Sequence, residues 1–195
     1  MASPDMSPLG HGPKFPGSIV VMGVSGSGKT SVGKAVAAAC GYRFIEGDAL
    51  HPDVNIAKMS AGIPLTDEDR WPWLREIGRQ LSQGAEPLVV SCSALKRSYR
   101  ALLRDSAGGD LAFVYLHGSR DVLAGRMHHR EGHFMPASLL DTQLATLEEP
   151  IGEPLTVVAD VDQSAADVVK ATLAALGGLA SSSTGASGDA GFGQR

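Results

Sequence analysis

One octet limits what this chain can fold into more than any other feature. Gly23-Val24-Ser25-Gly26-Ser27-Gly28-Lys29-Thr30 is a complete G-x-x-x-x-G-K-[ST] match. A short apolar run, Ser18–Met22, precedes it, and a helical pattern over Lys29–Cys40 follows at once. Strand, glycine-rich turn and helix in that order build a concave nest of backbone N–H groups. Gly23, Gly26 and Gly28 permit angles that turn those groups inward without a side chain in the way, and Val24, Ser25 and Ser27 complete the cradle. The dipole of the helix beginning at Lys29 adds positive potential at the same point. Lys29 is expected to neutralise the β- and γ-phosphates of ATP, and the Thr30 hydroxyl to take one position on Mg²⁺.

Four further apolar runs read as buried strands: Arg43–Ile45, Leu88–Ser91, Leu111–His117 and Leu155–Ala159. Between and after them lie helical patterns at Val54–Ser60, a segment ending near Ser82, Lys96–Asp105, Asp121–Met127, Ala137–Glu148 and Ser164–Leu176. Strands alternating with helices predict an α/β fold, a mostly parallel sheet covered on both faces. Pro72 argues against a helix that begins at Asp67, so that helix is expected to start near Asp69 or Arg70. Ser164 with Asp167 three residues on reads as a capping box, and Gly177-Gly178 as the stop of the same helix. Residues 1–17, with four prolines, and 177–195, mostly Ser, Gly and Ala, are expected to be disordered. One domain over residues 18–176 remains.

The net charge of −4 gives no positive field to gather nucleic acid or anionic lipid, so neither is expected as a partner. No apolar run approaches the roughly 20 residues of a membrane span. Two cysteines, Cys40 and Cys92, are too few for a stapled secreted scaffold, and a reducing, cytoplasmic setting is expected. Cys92 reads as a small buried residue, with no paired histidine that would make it a nucleophile.

The phosphate loop alone does not distinguish a kinase from a GTPase or a motor ATPase. No Asn-Lys-x-Asp string is present, and the third strand ends in Ser and Cys where a Walker B element would carry Asp. Asp48, after the second strand, is the best candidate for an acid near the phosphates, because the carboxyl ends of parallel strands border one crevice. There it could align an acceptor hydroxyl, accept its proton and hold a Mg²⁺-bound water. The alternative is that Asp48 caps the following turn. Glu46 shares its face but lies deeper in the sheet.

Several further motifs carry a resemblance. Gly47-Asp-Ala-Leu-His51-Pro, Asn55-Ile-Ala-Lys58-Met59 and Gly62-Ile-Pro-Leu-Thr-Asp67-Glu-Asp69-Arg70-Trp-Pro-Trp73-Leu resemble the gluconokinase family. So do Cys92-Ser-Ala-Leu-Lys96-Arg-Ser-Tyr-Arg100, Arg130-Glu-Gly-His133-Phe-Met and Gln143-Leu-Ala-Thr-Leu-Glu-Glu-Pro150, and the match spans Ile19 to Leu176. The resemblance implies transfer of phosphate from ATP to D-gluconate. It also implies a three-layer P-loop kinase fold related to shikimate and nucleoside monophosphate kinases, with a five-stranded parallel sheet in the order 2-3-1-4-5, a mobile lid, and a homodimer. A kinase of the same scaffold with another acceptor, or a nucleotide switch without transfer, are the alternatives.

A polyol carrying one carboxylate calls for cations and hydroxyl partners. Arg70 and Lys96 are the expected cations, with His51, Ser93 and Gln143 as hydroxyl partners and His133 also on the substrate. Arg70 paired with Asp67 or Glu68 on a solvated helix face is an equal reading, and Trp71 and Trp73 are expected to pack. The basic stretch around residues 126–136 suits a lid that brings Arg126 or Arg130 to the transferring phosphoryl group. In the related kinases the loop after the fifth strand lies beside adenine, which makes Gln163 a candidate for base contact.

Overall fold

The structure, a computed structural model, describes residues 15–83, 86–128 and 137–184. Five strands, β1 (Ser18–Met22), β2 (Arg43–Glu46), β3 (Leu88–Ser91), β4 (Leu111–His117) and β5 (Thr156–Asp160), form one sheet. Its order is β2-β3-β1-β4-β5 and every pairing is parallel. The helices are α1 (Lys29–Cys40), α2 (Asp53–Ser60), α3 (Asp67–Gln83), α4 (Arg97–Ala107), α5 (Arg120–His128), α6 (Ala137–Thr146) and α7 (Ala165–Thr184), and Gly47–Leu50 makes one 3₁₀ turn.

Alternation along the central strand divides the interior in two. Ile19 and Val21 face a core shared with Val32 and Val36 of α1, Leu123 of α5, Leu140 of α6 and Val168 of α7. Val20 and Met22 face a second core built with Trp73, Leu74 and Ile77 of α3 and Tyr99 and Leu103 of α4. Three layers result, and all five strands end at the same edge, where the functional residues collect.

Several boundaries differ from expectation, each for a visible reason. Helix α3 begins at Asp67 because Thr66 and Asp69 form a capping box: the Asp69 N–H donates to Thr66 Oγ1 at 3.3 Å and the Thr66 N–H to Asp69 Oδ2 at 3.0 Å. That reciprocal pair outweighs the single backbone bond Pro72 forgoes. Helix α7 runs through Gly177-Gly178 to Thr184, since Leu176 is buried and Leu179 packs on the same core, which offsets the entropic cost of two glycines. Phe15 is buried, and its carbonyl accepts the Tyr42 hydroxyl at 2.6 Å, so the folded body includes residues ahead of Ser18. Strand β5 omits Leu155, which stands at φ 50°. Helix α6 stops at Thr146, and the Glu148 N–H turns to the Leu95 carbonyl at 2.9 Å.

A buried ion pair ties the sheet's far strand to the active edge. Arg100 is fully buried; its Nη1 donates to the carbonyls of Ala94 at 2.8 Å and Leu95 at 3.1 Å, and its Nε and Nη2 to the Glu153 carboxylate. Arg104 adds a bond to Glu153 at 2.8 Å. The Arg100 guanidinium, and after it Arg104, hold the Glu153 carboxyl down at about 2. Ala94 stands at φ 45°, so Arg100 secures a left-handed residue in the loop that carries Ser93 and Lys96. Glu153→Ala leaves that guanidinium buried without its counter-ion and should cost about 3 kcal/mol. Thermal unfolding should then show a fall in Tm on the order of 10 °C; an unchanged Tm would mean the pair adds nothing to stability.

Candidate active site

The phosphate loop is shaped by close packing as much as by backbone freedom. Gly23 stands at φ 143° with a Cβ position 2.9 Å from the Leu116 carbonyl, and Gly26 at φ 79° with one 2.6 Å from the Leu123 carbonyl. Any side chain at either position would push the loop off β4 and α5. Inside the turn, the Val24 carbonyl accepts from Ser27 N–H at 3.3 Å, Ser27 Oγ at 2.8 Å and Lys29 Nζ at 3.0 Å. The Lys29 ammonium thus rests over the loop, while the first turn of α1 has backbone N–H groups with no intrahelical acceptor. Gln143 reaches in from α6, its Oε1 accepting the Ser25 N–H at 2.6 Å.

Across the end of β3 stands the turn that carries Asp48. A Cβ on Gly47 would fall 1.9 Å from the Ser91 carbonyl, so only glycine permits this approach. The Gly47 N–H donates to Ser91 Oγ at 3.1 Å, the Ser91 hydroxyl donates to the Glu46 carboxylate, and Trp73 Nε1 donates to the Gly47 carbonyl at 2.7 Å. The turn is held from both sides and Asp48 is exposed at its tip. Burial pushes the Cys92 thiol, at the end of β3, up to about 12, with the Asp48 carboxylate adding to the shift and the Lys29 ammonium opposing it. The strand order β2-β3-β1 puts Asp48, after β2, and Lys29, after β1, at the same carboxyl edge of the sheet, on either side of the end of β3.

His51 is buried against this turn. Its ring stacks on Trp73 at 4.1 Å and 15°, and its Nδ1 lies 3.3 Å from Asn55 Nδ2. Burial lowers the His51 pKa below 6.5; Asp48 acts against that shift and Arg70 with it. Arg70 and Lys96 both lie on Asp67, at 3.7 Å and 2.6 Å, and the Tyr99 hydroxyl donates to the same carboxylate at 2.5 Å. The bonds from Lys96 and then Tyr99 hold the Asp67 carboxyl below the usual carboxylate range. Two cations and a phenol therefore gather on one carboxylate, Asp67.

Comparison with known proteins shows the family. A family model described as an AAA domain matches residues 19–150. A gluconokinase from Gluconobacter oxydans is 50% identical over 166 residues, covering 83% of this chain and 89% of its own length. The thermoresistant gluconokinase of Escherichia coli is 43% identical, covering 79% and 90%. The crystal structure of a gluconokinase from Sinorhizobium meliloti superposes with a TM-score of 0.85 at 68% identity, covering 89% of this chain and 99% of that one. The chain belongs to the gluconokinase family. A shikimate kinase from Aquifex aeolicus, at 14% identity and a TM-score of 0.54, shares the fold.

Of the residues expected at the site, Arg70 and Lys96 meet on Asp67, Lys29, Asp48 and His51 follow β1 and β2 at the same sheet edge, and Ser93 is half-buried on the loop that leads to Lys96. Gln143, expected among the acceptor groups, lies on the phosphate loop. Arg126 bonds the carbonyl of Val161 and, at 3.3 Å, that of Gln163, with its Nη1 4.0 Å from a Cβ position on Gly28. It thus borders the cradle from the β5 side. The Gln163 side chain donates to the Asp160 carbonyl at 2.8 Å. Arg130, His133 and the remainder of the expected lid from residue 129 to 136 lie outside the described residues.

Sequence reasoning left several residues without a role. Asp67 reads as part of a charged helix face, yet it collects Lys96, Arg70 and Tyr99. Trp73, expected to pack, does so and also supports His51. Arg100 and Glu153 carry no local signal. Among the described residues no three His, Cys, Asp or Glu side chains gather to hold a metal on their own. Thr30 and Asp48, one hydroxyl and one carboxylate, are hard-oxygen donors of the kind Mg²⁺ takes.

The His51 shift has a defined sign. The unfolded chain takes up its proton near 6.5 while the folded chain resists it, so this contribution is complete above 6.5 and lost as pH falls below it. Unfolding midpoints measured from pH 8 to pH 5 should decline in that window, with a shallower decline in His51→Gln. An identical slope in the variant would show that the proton goes elsewhere.

Proposed function

We propose that the chain is an ATP-dependent gluconokinase that transfers the γ-phosphate to the 6-hydroxyl of D-gluconate, giving 6-phospho-D-gluconate and ADP. The observation that supports this reading is the shared carboxyl edge of β2, β3 and β1, where the Lys29 loop follows β1 and exposed Asp48 follows β2.

Gly23 to Thr30 grip the phosphate chain through backbone amides, and the Lys29 ammonium leaves the Val24 carbonyl to neutralise the β- and γ-phosphates. Thr30 and Asp48 would hold Mg²⁺, which when bound adds charge neutralisation on those oxygens. The gluconate carboxylate pairs with Arg70 and Lys96, drawing them from Asp67. Neutral His51 and Ser93 take the hydroxyls. Asp48 aligns the 6-hydroxyl and accepts its proton as the new O–P bond forms and the bond to the β-phosphate bridging oxygen breaks, which releases ADP. Arg126, with Arg130 from the lid, steadies charge on the phosphoryl group. His133 adds a substrate contact, and the loop at Gln163 borders the adenine.

The same proposal has the chain act in the cytoplasm, on the ground that two buried cysteines, Cys40 and Cys92, are too few for a disulfide-stapled secreted scaffold. Among the described residues no helix is long and apolar enough to cross a membrane. A homodimer is included. Val54, Ile56, Met59 and Ile63 form an exposed apolar stretch on and after α2 that a second copy would cover.

ADP release measured across acceptors should require D-gluconate, with little turnover of shikimate or a nucleoside monophosphate; preference for either of those overturns the substrate assignment. Asp48→Asn should lower kcat by about 10² or more while ADP binding stays near that of the parent. Near-normal turnover would remove Asp48 from the proton-accepting role.

A further inference from the structure

Helix α2 buries an amide and exposes its apolar side chains. Among its described residues Asn55 alone is buried, at 1% exposure, while Val54, Ile56 and Met59 are exposed. A carboxamide taken out of water is costly unless its polar atoms are bonded, so the partners of Asn55 show what it is there for. Its Nδ2 donates to the Asp69 backbone carbonyl at 2.8 Å, and the same nitrogen lies 3.3 Å from His51 Nδ1.

The first contact decides the chemistry of the second. A backbone carbonyl only accepts, so the atom facing Asp69 is the amide nitrogen and not the amide oxygen. One of its two hydrogens goes to that carbonyl and the other to His51. Nδ1 must then be the acceptor, which leaves the imidazole neutral with its proton on Nε2. Neither partner is free to rearrange. The Asn55 N–H is bonded to the Pro52 carbonyl at 2.9 Å, and Asp69 is held by Lys58 at 2.7 Å and by the Thr66 cap. The imidazole is stacked on Trp73 at 4.1 Å and 15°, and Trp73 is itself tied to the Gly47 carbonyl at 2.7 Å. Turning the ring over would set a C–H against the amide and lose the bond.

We infer that Asn55 is a positioning residue that fixes His51 as the tautomer protonated on Nε2, so that the imidazole meets the substrate as a hydrogen-bond donor. The hydroxyl it takes then accepts from the Nε2–H and keeps its own proton for another acceptor. The inference rests on the reading of His51 as a hydroxyl partner of gluconate. It adds which way that bond runs and which buried residue decides it.

Nitrogen-15 NMR of the full chain labelled at its six histidines, recorded at pH 8, distinguishes a bare ring nitrogen from a protonated one, and the signal lost in His51→Gln is that of His51. The parent should show Nδ1 bare and Nε2 protonated. Asn55→Asp, which puts an acceptor where the donor was, should move a proton onto Nδ1. A proton on Nδ1 in the parent, or a bare Nδ1 that persists in Asn55→Asp, overturns the inference, and the parent spectrum alone decides the tautomer should a variant fail to fold. Gluconate kinetics give the second readout. Asn55→Ala should raise the gluconate KM by about two- to tenfold, the range of one hydrogen bond, with kcat and ADP binding near those of the parent. Made in a His51→Ala chain, the same change should raise KM no further; an equal rise there would mean that Asn55 only staples α2 to α3, which also overturns the inference. A gluconate KM unchanged in His51→Ala would instead overturn the reading of His51 as a substrate partner, and the donor role with it, even where the spectrum shows the expected tautomer.

Discussion

The whole arrangement depends on one backbone turn packed too tightly for side chains. Gly23 and Gly26 bring the loop against the Leu116 and Leu123 carbonyls, so the first amides of α1 open toward the carboxyl edge of the sheet. Because β1 is the middle strand, with β3 on one side and β4 on the other, the cradle sits at the centre of that edge. The chemistry on either flank is then decided by which strands lie there: β3 and β2 bring Ser93, Lys96 and Asp48, while β4 and β5 bring the Arg126 and Gln163 side.

The acceptor side is built with equal economy and more strain. Gly47 lets the Asp48 turn lie on Ser91, Trp73 fastens that turn and stacks under His51, and Arg100 holds the left-handed Ala94 ahead of Lys96. Each of these is a buried contact whose loss would leave an unmatched polar group. The chain's own groups stand near the positions proposed for the ligands. Asp67 holds Arg70 and Lys96, the cations proposed for a substrate carboxylate, and Gln143 holds the Ser25 amide of the phosphate loop. Such internal partners keep charges and donors satisfied before substrates arrive, and binding becomes an exchange of partners in place of the burial of bare groups.

What could be read from the sequence was whatever is local along the chain. The octet is contiguous, so its strand, turn and helix were legible at once, and the place of Asp48 at the sheet's carboxyl edge was legible from its position just after β2. The strand order was legible through resemblance, since apolar runs identify strands but carry no information on which neighbours pair. Contacts between distant segments were out of reach: nothing near Arg100 points to Glu153, and nothing near Gln143 points to Ser25. Two local signals were present and outweighed. Pro72 hid the Thr66–Asp69 capping box at the start of α3, and Gly177-Gly178 looked like a stop although Leu176 and Leu179 hold α7 on the core.

The central claim is spatial: the end of the phosphate chain and the sugar alcohol meet between Lys29 and Asp48. It is tested most directly by a crystal structure of the chain with ADP, a planar phosphoryl mimic such as aluminium fluoride, Mg²⁺ and D-gluconate. The account predicts the mimic beside Lys29 Nζ, in line with the gluconate 6-hydroxyl, and that hydroxyl hydrogen-bonded to the Asp48 carboxylate. Gluconate bound with its 6-hydroxyl away from Asp48, or a phosphoryl mimic seated outside the loop from Gly23 to Thr30, would contradict it.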